Sequence, residues 1–393
     1  MVTGTRTTAN VASAQRYIDI APEIMKLDPN ATPFVVITSR MNKKQAGDAE
    51  FSWMESEREV VFDAINKSGG YEATDEELIV DTEGTFAPGQ LVQVQRTSEI
   101  MFVKELKGTN KVKFERGAAG TTKAAIENDD VLLVIAFVAE EGASSFEART
   151  NNPTKITNNT QIFRTSIEAT GTWGSSLNQT TPHDWVFQHQ EKNREHLLQI
   201  ERVALHGHKS VTTGANGKPL RTTGGLLSFY TANNQDMGGT MTESELATWV
   251  RSLTTHGSDE KTVFASALAL DVINAYAVGR LQVVQSDAND ESAGTTYGVK
   301  VTKYMTANGT LNLVKHKLLE GAVFGGYMIA VDYRSAPPAY RPLGGGPMGS
   351  RDTKLLTNRQ ANDADGQKDE ILTEVGFGWP QPKTGGVATG ITG

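Results

Sequence analysis

Residues 181–206, TPHDWVFQHQEKNREHLLQIERVALH, predict one uninterrupted helix. Thr181 is a good N-cap residue, and Pro182 suits the first helical position because an N–H there would have no partner within the helix. No helix-breaking residue follows until Gly207, a residue type that favours the helix C-terminus. At about 1.5 Å per residue the helix spans roughly 39 Å, which is long for a globular domain.

The apolar stripe of this helix is narrow. Its apolar residues are Val186, Leu197, Ile200 and Ala204 on one side, with Trp185 and Leu205 near the ends. The middle of the helix, QHQEKNRE at 188–195, is polar all round. A helix of this kind lies across a surface or bridges two lobes, so we expect a strut rather than a core helix.

Histidines are concentrated on and around this helix, which raises the question of a metal or acid–base site. Five of the seven in the chain lie here, namely His183, His189, His196, His206 and His208. Zinc helices place ligands at i and i+4, and carboxylate bundle sites use Glu-x-x-His. Neither spacing occurs, since Asn193 lies four residues after His189, and Arg194 and Leu198 lie three residues after the two glutamates of the helix. His189 and His196 share a face but are about 10 Å apart along the axis, which is too far for one metal ion. We therefore expect histidines that face solvent or an interface, with a pH-sensitive contact as the remaining alternative.

Composition excludes several classes of function. The chain has 393 residues, which favours two or three compact units. It contains no Cys, so disulfides, thiolate zinc sites and cysteine nucleophiles are excluded. Its net charge is −8 without a long basic block, which argues against strong non-specific DNA binding. The longest apolar run, VLLVIAFVA at 131–139, is too short to span a bilayer, and the N-terminus lacks the apolar core of a signal peptide.

Two different segments precede the long helix. Prolines interrupt residues 1–33 and predict an extended arm with one helical turn. The next segment, 34–59, predicts a hairpin with a long polar tip, in which a strand at 34–37 is followed by an alternating strand from Glu50. Charges on such a tip would set its contacts with a neighbour.

Residues 60–145 predict an inserted module of short strands. Four strand-like segments, at 86–95, 98–108, 110–117 and 131–142, are separated by turn signals and indicate a small barrel or sandwich. The stretch ERGAAGTTKAA at 115–125 lacks the spacing of a phosphate-binding loop, so we expect a Gly-rich turn there.

The residues after the long helix predict an α/β lobe and a closing ribbon. Thr242 and Glu245 form a capping-box pattern at the start of an amphipathic helix, and Asn308-Gly309 predicts a hairpin turn. A long strand is expected from Asp369 to Phe377, paired as an antiparallel ribbon. The final KTGGVATGITG at 383–393 predicts a flexible tail.

The order of these parts resembles the Hong Kong 97 fold of tailed-phage major capsid proteins. Within it, six segments resemble the family typified by the major head protein of the SU-ten phage. They are DPNATPFVVI (28–37), AEFSWMESE (49–57), FAPGQLVQV (86–94), VKFERGAAGT (112–121), NNTQIFRTSIEATGT (158–172) and NDADGQKDEILTEVGF (362–377). These segments run over most of the chain, and their order is more specific than any one of them.

The resemblance implies an α+β chain with the Hong Kong 97 fold and an inserted small β domain. The implied parts are an N-terminal arm (1–33), an E-loop hairpin with the start of the P domain (34–59), an inserted β-rich domain (60–145), a P domain with the spine helix 181–206 (146–207), an A domain (208–345), and P-domain return strands with a C-terminal tail (346–393).

The implied function is a major capsid protein without enzymatic activity, cofactor or membrane partner. Its copies would form hexamers and pentamers of an icosahedral head, assembled in the cytoplasm of a host bacterium, that encloses double-stranded DNA without sequence-specific binding. Further partners to consider are a separate scaffold, a portal and decoration proteins. The residues expected to contact neighbouring subunits are Arg40, Lys43, Lys44, Asp48 and Glu50 in the E-loop, and His189, Glu191, Arg194 and His196 on the spine helix.

Some relatives link a hairpin Lys covalently to a P-domain Asn. Here Lys43, Lys44, Asn358 and Asn362 have the right residue types. Both types are common on surfaces, so we expect no crosslink.

Two other functions stay open. A phage tail or fibre protein would also be rich in β-structure and Gly, but would not need a lone long helix inside an α/β frame. A metal-dependent enzyme would use the histidine-bearing helix, although the sequence has no G-x-S-x-G, H-E-x-x-H or Walker motif.

Overall fold

The computed structural model describes residues 33–57, 60–139, 141–142, 152–175, 184–276, 281–282, 301–347 and 349–392. The predicted arm, apart from Pro33, and the predicted helix start at Thr181 and Pro182 lie outside these residues. The chain divides into two compact units, one formed by residues 1–55 and 155–393 and the other by residues 56–154. The second unit extends a few residues beyond the predicted insertion 60–145 at both ends.

Helices and strands are mixed in the larger unit, as expected for an α+β chain. Its helices are α1 (Pro33–Met41), α2 (Gly171–Ser175), α3 (Asp184–His206), α4 (Leu226–Phe229), α5 (Glu243–Thr254), α6 (Ala267–Tyr276) and α7 (Gly321–Phe324). None of the helices in the described ranges is long and apolar enough to cross a membrane.

Helix α3 is the predicted long helix, and its end before Gly207 is confirmed. A Cβ atom on Gly207 would lie 2.5 Å from the carbonyl oxygen of Thr223, so glycine at this position lets the two backbone segments approach closely. The expectation of a strut outside the core is wrong, however. Ile200, Ala204 and Leu205 of this helix are buried in the core of the larger unit.

A seven-stranded mixed sheet forms the α/β lobe. In spatial order its strands are β12 (Gln235–Gly239), β21 (Gly386–Ile391), β17 (Met328–Val331), β13 (Glu260–Ala265), β16 (Gly309–Lys315), β15 (Val301–Thr306) and β14 (Leu281–Gln282). The predicted Asn308-Gly309 hairpin joins β15 to β16 in register, with Thr306 opposite Gly309. The capping box between Thr242 and Glu245 is also confirmed, and it starts α5.

The predicted flexible tail is wrong. Strand β21 lies between β12 and β17, inside the sheet, and Val387 and Ala388 are buried. The glycines of this segment suggested flexibility, but the structure gives them a different role. A Cβ on Gly385 would lie 2.3 Å from the Tyr230 ring, and a Cβ on Gly386 would lie 2.5 Å from the carbonyl oxygen of Asn233, so these glycines permit close packing.

Three smaller groups of strands complete the larger unit. The long strand β20 (Gly366–Gly378) pairs with β9 (Gln161–Thr170), β18 (Ala339–Pro342) and β19 (Lys354–Leu356). Strand β20 contains the predicted strand from Asp369 to Phe377, which is therefore confirmed. Strand β1 (Glu50–Glu55) pairs with β8 (Thr154–Asn159), and β10 (Ser210–Thr213) pairs with β11 (Pro219–Thr222) in a separate two-stranded ribbon.

The predicted strand at 34–37 is wrong because these residues lie in helix α1. Their β-branched side chains favoured a strand. The buried residues Phe34, Val35 and Thr38, however, recur at helical rather than alternating spacing, and Pro33 suits a helix start. The predicted hairpin 34–59 is therefore absent, since its second strand, β1, pairs with β8.

The second unit is a small six-stranded sheet with its own core. Its strands, in spatial order, are β2 (Phe62–Ala64), β7 (Val131–Phe137), β4 (Gln90–Val94), β5 (Ile100–Gly108), β6 (Lys111–Glu115) and β3 (Glu77–Ile79). A bridge between Ile65 and Val80 links its two ends, so the sheet closes into the kind of small barrel predicted.

A buried ion pair organises the Gly-rich turn of this unit. The Arg116 guanidinium donates to the Glu99 carboxylate at 2.7 and 2.8 Å, and both side chains are fully buried. The same carboxylate accepts from the backbone N–H groups of Gly117 and Ala124 at 3.0 Å each. The stretch 115–125 is thus a structural turn around Glu99, as its failure to match a phosphate loop indicated.

Candidate subunit-interface site

Helix α1 is held at its N-terminus by a carboxylate from helix α3. Glu201 is fully buried, and its two oxygens accept from the backbone N–H groups of Phe34 and Val35 at 2.9 and 2.7 Å. Nε2 of the buried His316 lies 2.7 Å from the same carboxylate. A negative charge at a helix N-terminus is favourable, and the contact fixes the point at which the arm 1–32 joins the described chain.

The segment after α1, which carries the predicted E-loop charges, runs beside strand β18. Lys43 and Ala46 form parallel bridges with Tyr340 and Leu343, and the Lys44 N–H donates to the Tyr340 carbonyl at 3.0 Å. The Lys43 ammonium forms an ion pair with Asp352 and lies 5.9 Å from the centre of the Tyr340 ring. This part of the predicted loop is therefore docked on its own chain.

The remaining predicted E-loop residues have different environments. Lys44 and Asp48 are exposed, and the Asp48 carboxylate accepts from the N–H of Ala49 at 2.6 Å. Glu50 forms an ion pair with Lys209 at 2.9 Å, and the hydrogen bond from Lys209 lowers the pKa of Glu50. Arg40 is exposed at the end of α1. These five residues thus lie in one stretch but form no single cluster.

His196 was predicted to face solvent or a neighbouring subunit, and that prediction is wrong. Its ring is fully buried between strands β9 and β20, with Nδ1 2.9 Å from the Thr165 hydroxyl and Nε2 2.8 Å from the Thr373 hydroxyl. The Thr373 hydroxyl donates to Thr353, so it accepts from Nε2 of His196, while Nδ1 accepts from Thr165. Burial lowers the pKa of His196, and the neutral ring satisfies both contacts.

The other predicted residues of α3 are half-buried. Nε2 of His189 lies 3.1 Å from the Asp369 carboxylate, and the His189 ring packs edge-on against Trp185. The carboxylate of Glu191 lies 3.8 Å from the guanidinium of Arg194 on the same helix. His189 and His196 therefore both face strand β20 of their own chain, two helical turns apart.

The histidine helix also brings together no metal ligands in the part of the chain that the structure describes, where no group of three or more His, Asp or Glu side chains is placed to hold an ion. The sequence pattern did not predict the polar residues that join helix α3 to helix α1 and to strand β20. The contacts of Glu201 with Phe34, of Glu201 with His316 and of Thr373 with His196 join residues 167, 115 and 177 apart in sequence. No local spacing signals such contacts.

The family of the chain follows from comparison with known proteins. A model of the SU10 major capsid protein family matches residues 1–392. The chain belongs to the SU10 major capsid protein family. A relative of this family member, described as the major capsid protein of Pseudomonas phage PaMx41, is 21% identical over 384 residues, which cover 94% of this chain and 87% of the relative.

Solved structures similar to this SU10 family member include two capsids. The capsid of a native GTA particle, computed with C5 symmetry, gives a TM-score of 0.49 at 8% identity, covering 99% of each chain. The capsid of Myoviridae phage XM1 gives a TM-score of 0.45 at 9% identity, covering 99% of this chain and all of that one.

Proposed function

We propose that this chain is the shell-forming major capsid protein of a tailed phage. The observation that carries the proposal is the family match, which extends over residues 1–392. The similarity to the PaMx41 major capsid protein over 94% of the chain supports it. Membership of a capsid protein family also implies a structural rather than an enzymatic role.

The finer proposal is an icosahedral head of the Hong Kong 97 type. Hexamers and pentamers of the chain would enclose double-stranded DNA, because a head-to-tail interface between copies forms a closed ring when its rotation closes. A net charge of −8 suits a wall that confines DNA without adhering to it. Assembly would take place in the host cytoplasm, with scaffold, portal and decoration proteins as candidate partners.

The domain roles follow from the same proposal, with one revision. Residues 208–345 would form the A domain, residues 155–207 with the return strands would form the P domain, and residues 56–154 would be the inserted domain. Strand β21 joins the A-domain sheet rather than a tail. The segment 42–49 lies beside β18, so Lys43, Lys44, Asp48 and Glu50 would meet a neighbour from a docked segment rather than from a free hairpin.

Fewer residues of α3 are proposed to contact a neighbouring subunit than the sequence predicted. His189, Glu191 and Arg194 remain proposed contact residues, whereas His196 is excluded by its burial. No covalent crosslink from Lys43 or Lys44 to Asn358 or Asn362 is proposed. The tail-fibre and metal-enzyme alternatives have no comparable support.

Electron microscopy of the purified full chain, with sedimentation velocity on the same sample, tests the proposal. We expect closed shells or hexameric and pentameric tiles, together with a sedimenting species far larger than the 42.5 kDa chain. A monodisperse monomer across a wide range of concentration and salt, alone and with the neighbouring phage gene products, would contradict it. Denaturing gels of the assembled material should show a single monomer band, since no crosslink is expected.

A further inference from the structure

The two-stranded ribbon formed by β10 and β11 is exposed on both faces. Every residue of its two strands is exposed except Thr222, which is half-buried. The register places Val211 opposite Arg221 and Leu220 opposite Thr212. Residues directly opposite each other share a face, and successive residues alternate between faces. Val211 therefore lies on one face and Leu220 on the other, with 57% and 56% of their surfaces exposed.

The ribbon is firmly held at its base. The buried Asn159 side chain donates to the carbonyl oxygens of Ser210 and Thr222 at 3.2 and 3.5 Å, which joins the two strands where they leave the unit. The Thr222 hydroxyl donates to the His208 carbonyl at 2.7 Å. These contacts fix the base of the ribbon relative to strand β8.

The far end of the ribbon is a defined turn. The N–H of Gly214 donates to the Lys218 carbonyl at 2.8 Å, and the N–H of Lys218 donates to the Asn216 side chain at 3.1 Å. Gly217 has a φ of +71°, which glycine adopts without strain. The ribbon is thus built with the turn chemistry of a specific hairpin rather than as an irregular loop.

A two-stranded ribbon without a packed face is marginal in water. Exposed apolar side chains on both faces add to that cost. Apolar surface that is displayed by a specific structure usually marks an interaction site. The geometry therefore indicates a partner that contacts both faces of the ribbon.

Charge indicates what kind of partner this is. Between His208 and Thr222 there are three cations, Lys209, Lys218 and Arg221, and no Asp or Glu, whereas the whole chain carries a net charge of −8. Lys209 is paired with Glu50. Within the described ranges, neither the Lys218 ammonium nor the Arg221 guanidinium has an ion-pair partner. A cationic element on an acidic chain complements the surface of another copy of that chain.

DNA is the weaker candidate. Strong phosphate binding needs many cations on one surface, and this ribbon has two free ones. The exposed Val211, Pro219 and Leu220 side chains offer nothing to a phosphate backbone, but they suit an apolar protein contact surrounded by charge.

We propose that the ribbon 210–222 is a docking element that binds an acidic surface with apolar character on a second copy of this chain. This inference rests on the proposed shell-forming function and deepens it by naming the contact surface. Val211 and Leu220 supply the apolar contacts, one on each face of the ribbon, while Lys218 and Arg221 steer the approach and fix its orientation.

Two double variants test the inference in the full chain. V211S/L220S removes the apolar contacts, and K218E/R221E reverses the free charges. Each should raise the protein concentration needed for assembly about tenfold or more, since losing a few apolar or charged contacts at an interface centre has effects of this size. The effect of K218E/R221E should decrease at high salt, because salt screens the attraction between exposed charges as the two copies approach.

Matched controls carry the same changes at sites away from the ribbon. V323S/L355S alters two residues with 65% and 52% exposure, and R251E/K315E reverses two exposed cations, one on helix α5 and one at the end of strand β16. These variants should assemble as the wild type does. Ribbon variants that assemble normally, or controls that fail as severely as the ribbon variants, would overturn the inference.

The outcomes also separate the inference from the proposed function. If the wild-type chain forms shells and the ribbon variants do too, the proposed function stands and the inference fails. If the wild-type chain forms no assembly at all, the proposed function fails. Fluorescence anisotropy with a short DNA duplex covers the remaining partner, because ribbon variants that assemble normally but lose duplex binding would assign the ribbon to DNA instead.

Discussion

Strand β21 and the ribbon β10–β11 are short, Gly- and Thr-containing segments with opposite environments. GVATGI at 386–391 lies inside a seven-stranded sheet, with Ala388 fully buried. Among the strands that the structure describes, SVTT at 210–213 and PLRT at 219–222 pair only with each other, and they expose Val211 and Leu220. Local composition does not separate the two segments. Burial depends on which distant strand pairs with each, and the ribbon retains apolar surface for a partner.

Removal of the buried strand β21 should have the largest effect on the stability of the chain. A chain ending at Gly385 lacks β21, so β12 and β17 lose their shared neighbour and the core residues Val387, Ala388 and Ile391 are deleted. We expect the larger unit to lose its cooperative unfolding transition, measured by circular dichroism on heating. Deleting Gly393 alone should leave the transition unchanged. A truncated chain that melts with the wild-type midpoint would show that β21 is dispensable.

A single buried side chain gives the next largest effect. E201A leaves the N–H groups of Phe34 and Val35 and the ring of His316 without their acceptor. The free energy of unfolding should fall by about 3 kcal/mol, because unpaired buried donors retain their full desolvation cost. Urea denaturation measures the change. The control E195A removes an exposed carboxylate from the same helix, paired with Lys192, and should cost less than about 1 kcal/mol.

Proton uptake by His196 gives a smaller, pH-dependent effect. Burial lowers the pKa of His196 in the folded chain below its usual 6.5, so the unfolded chain binds the proton more readily. Stability from this group is therefore complete above about pH 6.5 and declines as the pH falls toward the lowered pKa. Burial also lowers the pKa of His206, which adds a decline of the same sign.

Urea denaturation from pH 7.5 to 5 separates the contribution of His196. H196Q should flatten the decline in unfolding free energy, while H208Q, at an exposed histidine, should leave it unchanged. H196Q will also lower stability at pH 7.5, but only the slope with pH reports the titration. A wild-type slope retained in H196Q would mean that His196 does not carry this linkage.

The exposed ribbon should give the smallest effect on the stability of the single chain. V211S/L220S removes apolar groups that have little burial to lose, so the free energy of unfolding of the unassembled chain should change by no more than about 0.5 kcal/mol. Differential scanning calorimetry below the assembly concentration measures this. A loss of more than about 2 kcal/mol would place these side chains in an internal contact and remove the contrast with β21.

Local signals predicted the elements that local physics decides. Gly207 ends α3, Thr242 and Glu245 cap α5, and Asn308-Gly309 turns between β15 and β16. Each depends on backbone geometry or hydrogen bonds within a few residues, so the sequence pattern was sufficient. The resemblance to the SU-ten head protein family, confirmed by the match over residues 1–392, came from the order of such elements.

The wrong predictions concern segments whose structure depends on contacts with residues far away in the sequence. The run at 34–37, Phe34 followed by three β-branched residues, forms a helix whose first N–H groups are bound by Glu201, more than 160 residues away. His196 is polar by sequence but buried, because Thr165 and Thr373 satisfy both ring nitrogens. The sequence of the ribbon has no signal stronger than a lack of acidic residues. The charged residues that the sequence predicted to contact a neighbouring subunit, such as Lys43, are partly paired within the chain.

Hydrogen exchange across the ribbon tests the central claim most directly, that the chain completes its interior alone and leaves the ribbon for a second copy. Backbone amides of residues 210–222 should exchange quickly in the unassembled chain, whereas those of the interior strand β13 should be protected in both states. On assembly the ribbon amides should slow at least about tenfold, as an interface that excludes water would require. Ribbon amides that exchange equally fast before and after shells form would contradict the account.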